Sequence, residues 1–354
     1  MKIKEFLLAK CTVYSLAIAF FQCLYYSSSV AVPNPSLDGR ANAGIPVDGA
    51  QKRVDLDVYS VDFDTSMGKY DRYLKNFYQQ ALKNMPTWWS RGISNANPQE
   101  LNTFFTRVYD QNKLNKLEFS SVPRIPKIFH QIWVGKKPFP EDYKKWQESW
   151  QHVPGWEYKL WTDKEVETLP LTNRDLYEQE KSMGARADIL RVEILYREGG
   201  VYVDTDFECL KPEMFDVLNC NYDFYAGITP VDAKVLLLNN ALIGSVQGHP
   251  ILKGCIDSLK HIRRGPGFMD VVARGPALFT SMAYKFGGHE CRDIFFPPTV
   301  FYPLLISSRT KPQFVKLGTK SADLEAIKKQ IMRPESVAVH YWEGAWTVPD
   351  AFSK

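Results

Sequence analysis

Residues 186 to 208, RADILRVEILYREGGVYVDTDFE, decide the fold class of this chain. Up to residue 198 the apolar residues recur at helical spacing, and the glycine pair at 199 and 200 suits the end of a helix. The short apolar run from Val201 to Val203 predicts a buried strand, which ends in Asp204-Thr205-Asp206. In open α/β sheets, ligands bind at the carboxyl ends of the strands. The stretch therefore predicts an α/β fold with a binding site at this acidic turn.

The rest of the main body alternates short apolar runs with helical patterns. Strands are predicted at 127–134, 156–161, 223–228 and 235–243, and helices at 140–153, 175–198, 250–263, 273–286 and 321–332. Strands that alternate with helices predict an α/β sandwich around a largely parallel sheet.

The N-terminal part differs from this pattern. Residues 1–31 start with lysines and continue as an uncharged run from Cys11 to Tyr26, shorter than the ~20 residues that span a bilayer. They predict a signal peptide or a short membrane anchor, and hence possible membrane association through the N-terminus; a buried helix is the alternative. Residues 32–68 are predicted to be a linker, 69–120 a small helical region and 121–354 the main domain.

Composition excludes several classes of protein. Hydrophobic residues make up 45% and charged residues 24%, as in ordinary globular proteins, which excludes a disordered or polytopic membrane chain. The net charge of +4 is too balanced to predict a nucleic-acid partner. The six cysteines contain no CxxC pair, so no zinc site or thioredoxin-type motif is predicted, and they are too few for this length to imply a disulfide framework.

The acidic turn suggests metal chemistry. Two carboxylates, Asp204 and Asp206, at the end of one strand can both face a divalent cation, and oxygen ligands select Mg²⁺ or Mn²⁺. A solvated acidic turn is the plain alternative. A phosphohydrolase with an aspartyl nucleophile is another, but it is disfavoured because Glu208 occupies its Thr or Val position and the chain has no Asp-Asp dipeptide.

Asp188 and Arg191 lie at i and i+3 of the predicted helix before the strand. Residues at this spacing share one helix face. A carboxylate beside a guanidinium can accept from and donate to sugar hydroxyls. The alternative is a simple ion pair within the helix.

Three ordered motifs together resemble glycosyltransferase family 32. They are IPKIFHQIW at 125–133, RAD followed by Arg191 at 186–191, and GGVYVDTD at 199–206. The family includes fungal initiating mannosyltransferases, and its core is similar to that of clostridial glucosylating toxins. The resemblance covers residues 125–346 and implies a GT-A fold, a UDP- or GDP-sugar donor, a divalent metal and retention of anomeric configuration.

The resemblance also implies roles for individual residues. Trp133 would stack on the donor base, although a core tryptophan is the alternative. Asp188 and Arg191 would bind hydroxyls of the donor sugar. Tyr202 would lie beside the metal, and Asn240, with its neighbour Asn239, under the donor sugar.

The C-terminal sequence suggests a third candidate metal ligand. Val337 to Val339 predicts a short strand, and His340 follows it directly. Family members resemble this pattern, so His340 is predicted to join Asp204 and Asp206 and to tilt the site toward Mn²⁺ over Mg²⁺. Trp342 or Trp346 would then cover the diphosphate; core packing of these tryptophans is the alternative.

These observations predict a retaining, metal-dependent glycosyltransferase that moves a hexose to a glycan, lipid or protein acceptor. A phosphohydrolase and an inactive carbohydrate-binding relative are the alternatives, although none of the predicted acids is missing. The predicted N-terminal signal would place it in a Golgi-type lumen in a eukaryote, or make it exported or envelope-associated in a bacterium.

Overall fold

The computed structural model describes residues 54–84, 96–118, 120–262, 271–289, 291–306 and 331–344. The predicted signal peptide or anchor at 1–31 and most of the predicted helix at 321–332 lie outside these residues. Over the described ranges, no helix is long and apolar enough to cross a membrane.

A six-stranded sheet forms the centre of the fold. Within the described ranges there are eight strands, six in this sheet and two in a separate pair: β1 (Ile128–Ile132), β2 (Glu157–Trp161), β3 (Gly200–Val203), β4 (Phe207–Cys209), β5 (Phe224–Ile228), β6 (Leu238–Ser245), β7 (Asp293–Phe296) and β8 (Ala338–His340). The central sheet has the order β2-β1-β3-β6-β5-β7, and β4 and β8 form a separate antiparallel pair. Only β6 runs antiparallel to its neighbours in the central sheet. The predicted α/β fold with a mostly parallel sheet is confirmed.

Helices surround this sheet. They are α1 (Phe63–Ser66), α2 (Lys75–Ala81), α3 (Pro98–Asn112), α4 (Lys144–Gln151), α5 (Asp163–Glu167), α6 (Arg174–Gln179), α7 (Met183–Glu198), α8 (Pro212–Asn221), α9 (Pro250–Ser258), α10 (Leu278–Phe286) and α11 (Pro298–Phe301). Short 3₁₀ turns lie at Leu56–Tyr59, Leu114–Lys116, Glu141–Tyr143, Val231–Ala233 and Leu259–His261, and a π-helical turn at Ala273–Ala277 leads into α10.

The single helix predicted at 175–198 is wrong, because the structure has two helices there. The backbone leaves the helical region at Glu180, whose carboxylate accepts hydrogen bonds from the N–H groups of Lys181 and Ser182. The Ser182 hydroxyl then caps the start of α7. Local side-chain hydrogen bonds of this kind compete with the helical ladder and end it.

The N-terminal helix α3 is fixed at its start and along one face. Asn97 and Glu100 form a reciprocal capping box, which satisfies the first N–H groups of the helix. Its apolar face packs on the edge strand β7, where the rings of Phe104 and Phe105 lie 5.7 and 5.5 Å from that of Phe295. The helix predicted in this region therefore contributes to the core beside the sheet.

The turn from α7 into β3 requires its two glycines. Gly199 and Gly200 have φ values of +65° and +98°, which residues with a side chain rarely adopt. A Cβ at Gly200 would lie 2.7 Å from the carbonyl oxygen of Ile128 and 2.8 Å from Nε2 of His130. Because the glycines have no side chains, β3 can lie between β1 and β6, and the acidic turn that follows it lies in the middle of the sheet edge.

His130 supports the same turn from beneath. Its Nδ1 accepts from the indole N–H of Trp161 at 3.1 Å, so its Nε2 carries the proton and donates to the Gly199 carbonyl at 2.9 Å. Burial lowers the pKa of His130 to about 4, although the Gly199 carbonyl opposes the shift. This histidine is therefore neutral and structural.

Candidate metal and substrate site

The three predicted metal ligands lie together at the carboxyl end of β3. The ligand atoms of Asp204, Asp206 and His340 lie within 4.8 Å of one another. The N–H of Asp204 donates to the Ala241 carbonyl at 2.8 Å and so continues the β3–β6 ladder by one residue. The β4–β8 pairing places His340 opposite Phe207, just after the acidic turn. Sheet hydrogen bonds thus set the positions of all three side chains.

His340 contacts two aromatic rings and, through one nitrogen, a carboxylate oxygen. Its ring is stacked on that of Phe207 with centroids 4.6 Å apart, and the ring of Trp342 lies 4.1 Å from it. Its Nε2 lies 3.0 Å from Oδ1 of Asp206. Its buried Nδ1 has no hydrogen-bond partner among the described residues.

Asp206 is nearly buried and ionised. Its Oδ2 accepts from the N–H of Glu343 at 2.9 Å, and its carbonyl accepts from the N–H of Tyr341 at 3.0 Å. Burial alone would raise the pKa of the carboxyl, but His340 and the Glu343 N–H outweigh burial and lower it.

Asp204 is the most solvent-accessible member of the cluster. Its side chain is 25% exposed, against 10% for Asp206 and 7% for His340. Its Oδ1 accepts from the Tyr202 hydroxyl at 2.5 Å and lies 3.2 Å from Nη1 of Arg191. Burial raises the pKa of Asp204, and Arg191 opposes that shift.

The chemistry of this donor set fits a divalent cation. Two carboxylates and an imidazole are hard and borderline ligands of the kind that Mg²⁺ and Mn²⁺ take. The unpaired Nδ1 of His340 is a further sign that the hydrogen bonding of the site is incomplete in the protein alone. Asp204, Asp206 and His340 are therefore able to hold such an ion.

The predicted sugar-binding residues form a network that starts at Asp204. Arg191 donates to the Asn240 carbonyl at 2.7 Å, and its Nη2 lies 3.2 Å from Oδ1 of Asp188. The Asn240 amide donates to the same Asp188 oxygen at 2.8 Å. The Arg191 guanidinium also lies over the Tyr202 ring, 4.5 Å from its centroid. The ion pair within the helix is thus present, and it is joined to the acidic cluster.

Burial changes the electrostatics of this network. It raises the pKa of Asp188 to about 6, although Arg191 opposes the shift. A carboxyl with this pKa is ionised at neutral pH but gains a proton readily in mild acid. Arg191 therefore carries the positive charge between two carboxylates, Asp188 and Asp204.

The two predicted tryptophans occupy different surroundings. Trp342 lies against His340, and its indole N–H donates to the Leu304 carbonyl at 2.8 Å. Trp133 is half-buried at the end of β1, where its indole N–H donates to the Lys137 carbonyl at 2.8 Å and its ring meets Phe139 edge-on at 5.2 Å. The structure thus brings Trp342 to the acidic cluster. Residue 346 lies outside the described residues.

Two further residues reach the cluster that were not predicted. The amide of Gln131 donates to the Asp204 carbonyl at 3.2 Å. The buried ring of Tyr302 lies 5.5 Å from that of Phe207 and 5.9 Å from that of His340. Gln131 could have been noticed as a polar residue within an apolar strand, whereas no local pattern marks Tyr302.

A second cluster has the spacing of metal ligands but a different hydrogen-bonding state. Ligand atoms of His249, Cys291 and Asp293 also lie within 4.8 Å of one another. Nδ1 of His249 accepts from the N–H of Ile251 at 3.3 Å, so Nε2 carries the proton and donates to Asp293 at 3.0 Å. The other Asp293 oxygen accepts from the N–H of Gly288 at 2.8 Å. Both ring nitrogens are thus occupied, and the pair fixes the start of α9 against β7.

Comparison with known proteins bears on the region that contains the acidic turn. Residues 140–225 match the family model described as a glycosyltransferase sugar-binding region containing a DXD motif. An uncharacterized glycosyltransferase of Acanthamoeba polyphaga mimivirus is 30% identical over 36% of this chain and 52% of its own length. A mannosyl phosphorylinositol ceramide synthase of Saccharomyces cerevisiae is 29% identical over 49% of this chain and 46% of its own length.

Two further proteins also match only part of this chain. Inositol phosphoceramide mannosyltransferase 3 of Schizosaccharomyces pombe is 31% identical over 38% of this chain and 37% of its own length. The chain thus spans about half the length, or less, of the curated relatives it matches. The solved PaToxG glycosyltransferase overlaps 67% of this chain and 85% of its own at 18% identity, with a TM-score of 0.36. The family match agrees with the resemblance seen in the sequence over residues 140–225, which are similar to a glycosyltransferase sugar-binding region of the DXD type.

Proposed function

We propose that this protein is a metal-dependent glycosyltransferase that moves a hexose from a nucleotide-sugar donor to an acceptor. One observation carries the proposal: the Asp204, Asp206 and His340 cluster is joined through Arg191 to the buried Asp188 at one sheet edge. A donor with a diphosphate at one end and a sugar at the other would meet a metal cluster and a hydroxyl-binding network in that order. The DXD sugar-binding region supports the same function.

Different residues of the site would have different roles in such a transfer. A divalent ion held by Asp204, Asp206 and His340 would neutralise the diphosphate as it leaves. Arg191 carries N–H donors and Asp188 carries acceptors, but both side chains are nearly buried and paired without a ligand. We propose that the sugar hydroxyls replace part of this pairing when the donor binds, so that the two side chains orient the sugar. Trp342, beside His340, would cover the diphosphate and exclude water, which favours transfer over hydrolysis.

The donor base has its own candidate residue. Trp133 exposes part of its ring at the end of β1, and the hydrogen bond from its indole N–H to Lys137 fixes the ring orientation. A fixed, part-exposed indole can stack on a nucleobase. Base stacking on aromatic side chains contributes about 1–3 kcal/mol in other nucleic-acid-binding sites.

Retention of anomeric configuration is part of the proposal. Asp188 is buried and already hydrogen-bonded to Arg191 and Asn240, which does not suit a nucleophile for double displacement. The leaving phosphate would instead assist deprotonation of the acceptor on the same face. NMR of the first product formed would distinguish an axial from an equatorial anomeric proton.

We expect Mn²⁺ to activate better than Mg²⁺. An imidazole ligand such as His340 favours the later metal over Mg²⁺, which prefers oxygen ligands. Rates measured with each ion at saturating donor, after removal of bound metal, test this choice. Equal activation by the two ions would contradict a role for His340 as ligand.

The relatives suggest which substrates to try first. Two of them are named as enzymes that act on inositol phosphoceramide or form its mannosyl derivative. We therefore propose a mannosyl donor and a lipid-linked acceptor hydroxyl as the first pair to test, with glycan and protein acceptors next. Function at a membrane or in a secretory lumen would follow from the predicted segment at 1–31.

A donor screen tests the whole proposal. Full-length protein with Mn²⁺ is offered UDP- and GDP-linked glucose, galactose, mannose and N-acetylglucosamine, and release of the nucleoside diphosphate is followed with and without acceptors. We expect one donor to be turned over and Asp206→Asn to abolish that turnover. Release of inorganic phosphate from many esters would instead indicate a phosphohydrolase. Donor binding without any turnover would indicate an inactive relative; neither alternative has support in the observed site.

A further inference from the structure

One carboxylate oxygen of the site has no hydrogen-bond partner. Asp188 uses Oδ1 for both Arg191 and Asn240, whereas its buried Oδ2 is unpaired among the described residues. The Asp188 side chain is only 3% exposed, so water has little access to it. Hydrogen bonds therefore hold the Asp188 carboxylate at Oδ1 only, and a packing contact must limit its movement at Oδ2.

Gly275 lies directly against that unpaired oxygen. A Cβ at Gly275 would lie 2.8 Å from Oδ2 of Asp188 and 3.0 Å from its Cγ and Oδ1. These distances are too short for nonbonded contacts to a methyl group, so any side chain at position 275 would displace the Asp188 carboxylate. The carboxylate thus sits between the hydrogen bonds to Oδ1 and the bare Cα of the glycine.

The backbone around Gly275 is shaped for this contact. Gly275 lies inside the π-helical turn Ala273–Ala277 with φ −85° and ψ −110°, which interrupts the helix. Pro276 follows it and cannot donate a backbone hydrogen bond.

A buried ion pair ties this turn to the helix that carries Asp188. Arg274 lies 2.7 Å from Oε2 of Glu180, and both side chains are nearly inaccessible to solvent. The other Glu180 oxygen accepts from the N–H groups of Lys181 and Ser182, at the start of α7. The ion pair therefore links the turn that carries Gly275 to the start of the helix that carries Asp188.

We infer that Gly275 is a positioning residue of the donor-sugar site, whose missing side chain sets the place of the Asp188 carboxylate. The inference rests on the proposed function for its consequence, because Asp188 is the proposed acceptor for sugar hydroxyls. Gly275 itself acts through Asp188 and not through the metal cluster. A substitution there should therefore weaken recognition of the sugar and spare recognition of the nucleoside diphosphate.

Gly275→Ala tests this directly, with Gly254→Ala as the matched control. A Cβ at Gly254 would lie 2.6 Å from Cε2 of Phe286, an equally close contact within the packing of α9 on α10. By calorimetry with Mn²⁺, Gly275→Ala should weaken binding of the intact nucleotide sugar about tenfold or more. Its binding of the bare nucleoside diphosphate should change less than twofold. Gly254→Ala should lower the melting temperature and leave both affinities as they are.

A double variant separates the contact from a general effect on folding. In the Asp188→Ala background the clash is absent, so Gly275→Ala should weaken donor binding no further, and its melting temperature should recover relative to Gly275→Ala alone. Gly254→Ala should show no such recovery. This stability comparison needs no turnover, so it stays informative if the protein transfers no sugar and even if Gly275→Ala alone fails to fold. Independent, additive effects of Gly275→Ala and Asp188→Ala, or unchanged sugar-donor binding in folded Gly275→Ala, would overturn the inference.

Discussion

Two clusters of similar residues lie in different parts of this fold and differ in what they leave available. The Asp204, Asp206 and His340 cluster includes a side chain that is 25% exposed and a ring nitrogen without a partner. In the second cluster Cys291 is partly exposed, but His249 and Asp293 are 0% exposed, and both nitrogens of the histidine ring are engaged.

The difference shows that ligand spacing alone does not identify a metal site. Both clusters bring their ligand atoms within 4.8 Å. The clusters differ at the histidine. Nδ1 of His249 is occupied by the Ile251 N–H, whereas Nδ1 of His340 has no partner among the described residues, so the ring proton of His340 can move to Nδ1 and free Nε2 for a cation. The His249 cluster instead does structural work, because it joins the start of α9 to β7.

The largest expected difference concerns catalysis. Asp206→Asn should lower turnover roughly a thousandfold or more, because the diphosphate loses its charge compensation in the transition state. Asp293→Asn, the matched change in the other cluster, should leave the rate per folded molecule unchanged. Steady-state rates, normalised to the folded fraction from circular dichroism, check both. A similar loss of rate in the two variants would remove the functional distinction between the clusters.

The second prediction concerns the pH dependence of stability and tests the buried carboxylate of Asp188. Burial raises the pKa of Asp188 to about 6 in the folded protein, above its usual value of 3.8. The folded state therefore binds the proton of Asp188 more tightly than the unfolded state does. The protonated carboxyl contributes its full stabilising free energy below about pH 4, and this contribution is lost as the pH rises to about 6. The loss amounts to about 3 kcal/mol from a shift of about two pKa units.

Urea unfolding between pH 3.5 and 7 measures this effect. The stability of the wild type relative to Asp188→Asn should fall across pH 4 to 6 and stay level above about pH 6.5. A difference that does not vary with pH would mean that Asp188 titrates normally in the folded protein.

The third prediction compares the two histidines. Both are buried, so His340→Ala and His249→Ala should each destabilise the fold, by about 1–3 kcal/mol where a buried partner is left unpaired. Only His340→Ala should raise the Mn²⁺ concentration needed for half-maximal activation, by about tenfold or more. A Mn²⁺ titration of initial rates distinguishes them, and an equal shift in both variants would count against the assignment of His340 as a ligand.

The smallest expected effect concerns Trp133. Loss of base stacking in Trp133→Ala should raise the donor KM about tenfold, within the 1–3 kcal/mol that stacking contributes elsewhere. Trp133→Phe keeps an aromatic face and should recover most of that loss. Donor KM and melting temperature are measured together. If Trp133→Ala loses stability while its folded fraction binds donor normally, the tryptophan belongs to the core alone.

The sequence allowed prediction of those parts of the site that follow one another along the chain. The apolar strand, the two glycines and the acids of residues 199–206 lie together, so Asp204 and Asp206 could be placed at a strand end. His340 could be placed because it directly follows an apolar run. The resemblance supplied Asn240, which the structure joins to Asp188.

The remaining parts depend on the order of the strands, which local patterns do not encode. Tyr302, which follows α11, meets the cluster at the ring of His340 on β8, far from the acidic turn in the sequence. Gly275 reaches Asp188 through a kinked turn that resembles an ordinary helix in the sequence. The break at Glu180 was missed for a related reason, because a side chain that bonds its own neighbouring N–H groups leaves the apolar pattern unchanged.

Direct binding of Mn²⁺ to the metal-free protein tests the central claim most closely. Electron paramagnetic resonance of free Mn²⁺, titrated with wild type, Asp206→Asn and Asp293→Asn, counts the ions bound by each chain. We expect one ion bound by the wild type and by Asp293→Asn, and none by folded Asp206→Asn in the same concentration range. Retention of the ion by Asp206→Asn, or its loss from folded Asp293→Asn, would contradict the assignment of the metal to the cluster at the end of β3.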